Sequence, residues 1–279
     1  MKSFIGFIKL LRPLNMFQGG IAVLVSMSLF APLPSWKRVL LALLIVWAYA
    51  GGGNALNDFF DAAIDRINRP GRPIPAGLVS RRQALIFAIG LFVSGTLLAT
   101  PILSPAVALI LLVALSILVA YSPLFKVRPL WGNLSVSVTL GMTFLFAAAV
   151  FGDPAKGIVP CALAFSFNFI REVLKDIQDI PGDSALGAQT LPVRYGIAAA
   201  RKVVIGSTLA LMAGAFLPYL LKIYGIYYLA VLVLGVETTL AYVVYSIIRN
   251  PSIGNCGRLA QIMKGNVFCG LLAIFVGRY

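Results

Sequence analysis

Seven of the nine acidic residues fall in two short strings, Asp58, Asp61 and Asp65, then Glu172, Asp176, Asp179 and Asp183. Only Asp153 and Glu237 lie elsewhere. The aspartates of both strings share one spacing, Asp-x2-Asp-x3-Asp. On a helix turning about 100° per residue, those positions lie within about 60° of one face. Asn54 and Asn57 join the first face. Glu172 and Asn168 join the second, and Pro181 predicts a kink before Asp183. Six like charges facing one cavity repel unless divalent cations neutralise them. All-oxygen donors suit Mg2+, which takes one or two carboxylates together with substrate phosphates. Two such ions on opposed carboxylate sets could clamp a diphosphate.

Cations stand beside the acids. Arg66, Arg69 and Arg72 follow the first string, Lys175 sits inside the second, and Lys126 and Arg128 lie in a later loop. They can simply pair with the carboxylates. They can also hold phosphate oxygens that no metal reaches. The string Arg69-Pro-Gly-Arg-Pro-Ile-Pro-Ala-Gly77 reads as a shaped loop, a connector or a cover for the site. The chain has no histidine, which excludes a Ser-His-Asp triad, a histidine metal ligand and a histidine proton shuttle. Cys161, Cys256 and Cys269 form no Cys-x-x-Cys pair, so neither a disulfide framework nor a zinc site is indicated.

The elements that must position these residues are membrane spans. The chain is 60% hydrophobic and only 11% charged, against about 25% charged in a soluble domain. Nine stretches approach the roughly 20 apolar residues a bilayer crossing needs: 14–33, 39–57, 82–101, 104–121, 131–151, 158–176, 200–219, 224–248 and 259–277. The first 20 residues show no signal-peptide h-region or cleavage site. A net charge of +14 would suggest nucleic acid for a soluble protein. Here, with the N-terminus in the cytoplasm, eighteen of the 23 basic residues fall on the cytoplasmic side, as the positive-inside rule expects. No nucleic-acid partner is implied. The first acidic string follows span two and the second follows span six, so both open on one membrane face. The expectation is a single all-α domain, 1–279, of nine transmembrane helices around a central cavity open to the cytoplasm.

The strings Asn57-Asp-Phe-Phe-Asp-Ala-Ala-Ile-Asp65, Arg69-Pro-Gly-Arg-Pro-Ile-Pro-Ala-Gly77, Tyr121-Ser-Pro-Leu-Phe-Lys126 and Arg171-Glu-Val-Leu-Lys-Asp-Ile-Gln-Asp-Ile-Pro-Gly-Asp183 resemble the UbiA superfamily of intramembrane prenyltransferases. The likeness runs from Arg12-Pro-Leu-Asn15 to the last span. It implies two Mg2+ ions on Asp58, Asp61, Asp65, Asp176, Asp179 and Asp183. It implies a prenyl diphosphate donor held also by Arg12, Asn57, Arg66, Arg72, Lys126, Arg171 and Lys175. Tyr121, Ser122 and Lys126 would be the catalytic residues, with Tyr121 and Ser122 lining the reacting carbon, and the tail would lie along apolar helices that exclude water. Lys9, Arg12 and Arg128 are candidates for a phosphate on the acceptor.

Within that family, Gly53-Asn-Ala-Leu-Asn-Asp-Phe-Phe-Asp61, Asp65-Arg-Ile-Asn-Arg-Pro70, Met142-Thr-Phe-Leu-Phe146 and Gly187-Ala-Gln-Thr-Leu-Pro192 look most like the archaeal ether-lipid branch. Gln189 departs from it, standing where a basic residue is expected. That branch implies geranylgeranyl transfer to the hydroxyl of a lipid phosphate, geranylgeranylglyceryl phosphate, in the cell membrane with the site facing the cytoplasm. An aromatic acceptor of the 4-hydroxybenzoate or naphthoate type is the nearest rival. A carboxylate-based cation transporter would place its acids near the bilayer midplane instead. A non-enzymatic lipid scaffold would not need two metal clusters.

Overall fold

The computed structural model describes residues 2–185 and 187–278. Among the described residues nearly all are helical and none is in a strand. Eight helices are long and apolar enough to cross a membrane, or nine if one bent pair counts as a span. The protein is a multi-pass membrane protein.

The bent pair begins the chain. Helix α1 (Lys2–Leu11) stops at Arg12, and α2 (Pro13–Ser28) starts with proline at its first position, at 42° to α1. A residue before proline is disfavoured in the right-handed helical region. Arg12 adopts left-handed backbone, φ 53° and ψ 71°. The expected span 14–33 is therefore a sixteen-residue helix that reaches a bilayer's thickness only together with α1.

Helix α3 (Trp36–Phe60) has 25 residues, about 37 Å at 1.5 Å per residue. Short α4 (Ile64–Asn68) follows a turn. Helix α5 (Arg81–Ala99) begins with a reciprocal cap between Ser80 and Gln83. Helix α6 (Pro105–Ala120) ends in a wider π-helical turn, Tyr121–Phe125, within which Pro123 lacks an N–H for the α-helical bond. Next come α7 (Trp131–Phe151), α8 (Ile158–Ala185), α9 (Leu191–Gly214) and α10 (Leu217–Leu220). Helix α11 (Ile226–Val231) runs through a π-helical segment, Leu232–Glu237, into α12 (Thr238–Arg249), and α13 (Ile253–Val276) is last.

The chain gathers into two compact units. One holds residues 1–127 and 142–157, and the other holds 128–141 and 158–279. In the first unit α3 is the hub, and its Gly51-Gly-Gly53 run shows why. A Cβ added at Gly51 would lie 2.7 Å from Leu11, one at Gly52 2.9 Å from Phe92, and one at Gly53 2.7 Å from Leu118. Three helices close in around three consecutive residues, which only glycine permits at these separations. Tyr49 packs edge-on against Phe92 of α5, and its hydroxyl shares a 2.9 Å hydrogen bond with Thr96. In the second unit α8 packs against α9 and α13, and Gly257 of α13 lies against Gln178 of α8.

Candidate active site

Carboxylates at the C-terminal end of a helix oppose its macrodipole, and α3 does not continue through the acidic string. It ends at Phe60, with Asp58 in its last turn and Asp61 at its cap, φ −80° and ψ 3°. The chain turns through 61–63 before α4 carries Asp65. The expected single-helix face for the three aspartates is thereby corrected. Amide hydrogen bonds still link Asp61 to Asn57 and Asp65 to Asp61, each 2.8 Å, so the spacing survives the turn.

Three cations from three segments converge here. Arg12, at the break between α1 and α2, donates from Nη2 to Asn57 Oδ1 at 3.0 Å and Asp58 Oδ1 at 2.6 Å. Arg72, from the proline-rich turn, also bonds Asp58 Oδ1 and lies 3.7 Å from Asp65 Oδ2. Lys126, after the π-helical turn, bonds Asp61 Oδ2. Asn57 donates to the same oxygen at 2.7 Å and to Ser122 Oγ at 3.2 Å. Burial raises the Asp65 carboxyl above the usual range against the pull of Arg72, with Asp61 and Asp58 adding to the rise. Burial likewise lowers Arg72, with Arg12 adding to the effect.

The second string lies wholly in the second unit. Helix α8 continues unbroken past Pro181 to Ala185, so Asp183 belongs to the same helix as Asp176 and not to a segment beyond it. Asn133 of α7 donates to Asp176 Oδ2 at 2.9 Å, and Thr190 donates to Asp183 Oδ2 at 3.2 Å. Buried Glu172 takes both neighbouring cations, Arg171 at 2.9 Å and Lys175 at 2.7 Å. A chain of polar groups backs them, with Arg171 to Asn168 at 3.4 Å, Asn168 to Ser137 at 3.3 Å and Ser137 to the Asn133 carbonyl at 2.6 Å. Asp179 is half-buried on the same helix.

Arg12, Asn57, Arg72, Ser122 and Lys126 are thus brought to the first aspartates, and Arg171 and Lys175 stand among the second. Tyr121 opens the π-helical turn, half-buried, and accepts the amide of Lys126 on its carbonyl at 2.8 Å. Arg66 is exposed and makes no ion pair among the described residues, and Lys9, Arg128 and Gln189 are exposed too. Asn133 and Thr190 were not singled out by sequence. Asn133 carries a signal nonetheless, because a polar amide within an apolar span demands a partner.

Among the described residues no three acidic or cysteine side chains form a ready cation cage. The oxygens of Asp58 and Asp61 are instead turned to Arg12, Arg72 and Lys126. Yet Asp58 Oδ2 and Asp65 Oδ2 are buried without a hydrogen-bond partner. Buried, oxygen-only acceptors left unsatisfied fit a hard cation such as Mg2+.

A model of the UbiA prenyltransferase family matches residues 20–264. The chain is 38% identical over 267 residues to the digeranylgeranylglyceryl phosphate synthase of Methanopyrus kandleri, covering 96% of this chain and 97% of that one. It is 37% identical over 281 residues to that of Natronomonas pharaonis, covering 100% and 98%. A solved digeranylgeranylglyceryl phosphate synthase superposes with a TM-score of 0.78 at 26% identity, covering 100% of this chain and 99% of that one. A UbiA homologue from Archaeoglobus fulgidus bound to GPP and Mg2+ shares the fold, with a TM-score of 0.73 at 18% identity over 97% and 99% of the two chains. The chain belongs to the UbiA prenyltransferase family.

Proposed function

We propose that this prenyltransferase moves a geranylgeranyl group from geranylgeranyl diphosphate to the free hydroxyl of geranylgeranylglyceryl phosphate, forming the second ether bond of an archaeal membrane lipid. The observation that carries the chemistry is the mixed cluster at the end of α3. There, buried carboxylates with unsatisfied oxygens stand among Arg12, Arg72 and Lys126. A site of both signs at the end of an apolar helix suits a metal-bound polyanion with an apolar body. The choice of acceptor draws support from full-length likeness to synthases that carry this activity in their name.

In this reading Asp58, Asp61 and Asp65 of the first unit would hold one Mg2+ ion, and Asp176, Asp179 and Asp183 of the second unit would hold another. The metal would supply charge stabilisation for the departing diphosphate. Arg72, Lys126, Arg171 and Lys175 hold phosphate oxygens not held by metal, and Asn57 fixes the rotamers of Asp61 and Ser122. The bond from the donor's C1 to the diphosphate oxygen breaks, and positive charge grows on the allylic carbon. Tyr121 and Ser122 line that carbon, the ring face and hydroxyl oxygen favouring the charge. The acceptor oxygen then bonds C1, and its proton passes to the released diphosphate. Arg66, exposed and outside the ion pairs, is the weakest of the phosphate candidates. The charge distribution supports a cell-membrane protein with the site on the cytoplasmic side.

The test offers purified protein labelled geranylgeranyl diphosphate and Mg2+ with geranylgeranylglyceryl phosphate, 4-hydroxybenzoate and a naphthoate side by side. Mass spectrometry should find a diether lipid phosphate as the product. Transfer only to an aromatic ring would overturn the assignment.

A further inference from the structure

The acids of the first aspartate cluster already stand against cations. Arg12, Arg72 and Lys126 are each ion-paired to Asp58, Asp61 or Asp65. The cations occupy two of the carboxylate oxygens a metal would use. Asp58 Oδ1 receives both arginines, and Asp61 Oδ2 receives Lys126 and Asn57. A dication entering alone would add two positive charges beside three fixed ones, in a partly desolvated site where such repulsion is poorly screened.

Two kinds of unsatisfied buried atom coexist there. Asp58 Oδ2 and Asp65 Oδ2 accept no hydrogen bond, and Arg12 Nε donates none. One suits a cation and the other suits an anion. Arg12 is also held in left-handed backbone, φ 53°, a conformation costly for a residue with a Cβ. Its bonds to Asn57 and Asp58 oppose release from that conformation.

We propose that Arg12, Arg72 and Lys126 are resident counter-ions that make Mg2+ and diphosphate bind as one unit. Mg2+ takes the carboxylate oxygens only as the displaced guanidinium and ammonium groups pass to phosphate oxygens. The inference rests on the Mg2+–diphosphate reading above and goes beyond it, because it assigns these cations a role before catalysis. They hold the site closed to bare metal and couple the two ligands. Coupling of this kind is reciprocal, so each ligand tightens the other by the same factor.

The test is thermal stability of the detergent-solubilised full chain, titrated with Mg2+ alone, inorganic diphosphate alone, and both, with free Mg2+ buffered at matched values. Ligand binding to the folded state raises the melting temperature by mass action. Wild-type protein should bind Mg2+ at least about tenfold more tightly with diphosphate present. Arg12→Gln and Lys126→Gln should each tighten binding of Mg2+ alone and shrink the coupling to about threefold or less. Should Arg12→Gln fail to fold, Lys126→Gln decides alone. Mg2+ binding to wild type equally well without diphosphate would sink the proposal, as would undiminished coupling in the variants. Absence of any shift with both ligands together would overturn the Mg2+–diphosphate reading itself, and the coupling with it.

Discussion

Asp58 is the most committed side chain of the first cluster. It is only 2% exposed, and two arginines share one of its oxygens. Removing one partner from a buried charge set leaves the others uncompensated, at about 3–5 kcal/mol. Asp58→Ala should therefore lower the melting temperature sharply, even though it deletes a group whose own burial is unfavourable. Asp61→Ala and Asp179→Ala should instead cost activity, by about 100-fold or more, with melting temperature less affected. Full activity in either would remove that aspartate from the metal site. Asp65 sets a pH dependence. Burial raises its carboxyl in the folded state, so the folded protein holds that proton to higher pH than the unfolded chain does. On its own account this group adds stability as pH falls through the raised value, and loses it as pH rises. If Asp65 holds Mg2+ as proposed, the ion needs the carboxylate, so apparent Mg2+ affinity should begin to fall at a pH above the ordinary aspartate range near 4. Metal titrations at two pH values, on wild type and on Asp65→Asn, would show it. An identical pH dependence in the variant would dissociate Asp65 from the effect.

At the scale of elements, the glycine run of α3 makes the sharpest forecast. Gly52→Val drives a side chain into the Phe92 ring, where a Cβ alone would sit 2.9 Å from its edge. Overpacking of this kind costs about 1–3 kcal/mol and should appear as lost thermal stability, whereas a silent variant would mean that α3 and α5 can part. How far the elements were legible varies. Long apolar runs announced the helices, and Arg12-Pro13 carried the signal for the first break, because proline restricts its predecessor. The turn at 61–63 was hidden, because equal spacing of aspartates fits a helix as well as a helix end followed by a second short one. Pro181 does not end its helix. Proline removes one backbone bond, yet α8 continues for a further turn and carries Asp183 with it. Asn133 escaped notice because its partner, Asp176, lies 43 residues away in sequence, and no local pattern records such a pairing.

At the scale of the whole molecule, the distribution of cations makes a topological claim. Gly71 lies exposed in the proline-rich turn with open space about it, and Ala155 is exposed between α7 and α8. In a cysteine-free background, Gly71→Cys should react with a membrane-impermeant maleimide only in inverted vesicles, and Ala155→Cys only in right-side-out ones. The reverse pattern would invert the orientation and move the first aspartates out of the cytoplasm. Membrane class, charge bias and the two acidic strings were all readable from composition and order. The pairing of Arg12 and Arg72 on one oxygen was not, since it depends on three segments meeting in space.

Those pairings also impose an order on biosynthesis. The chain is made from its N-terminus, so Arg12 has been synthesised before Asp58 emerges, and that acid enters the bilayer with a partner to hand. Asp61 has no such luck. Its lysine lies 65 residues downstream, beyond two further spans, so a nascent chain must carry an incompletely matched carboxylate until α6 and the turn after it are complete. Ribosome-bound fragments ending before Lys126 are the ones that quality control should recognise first.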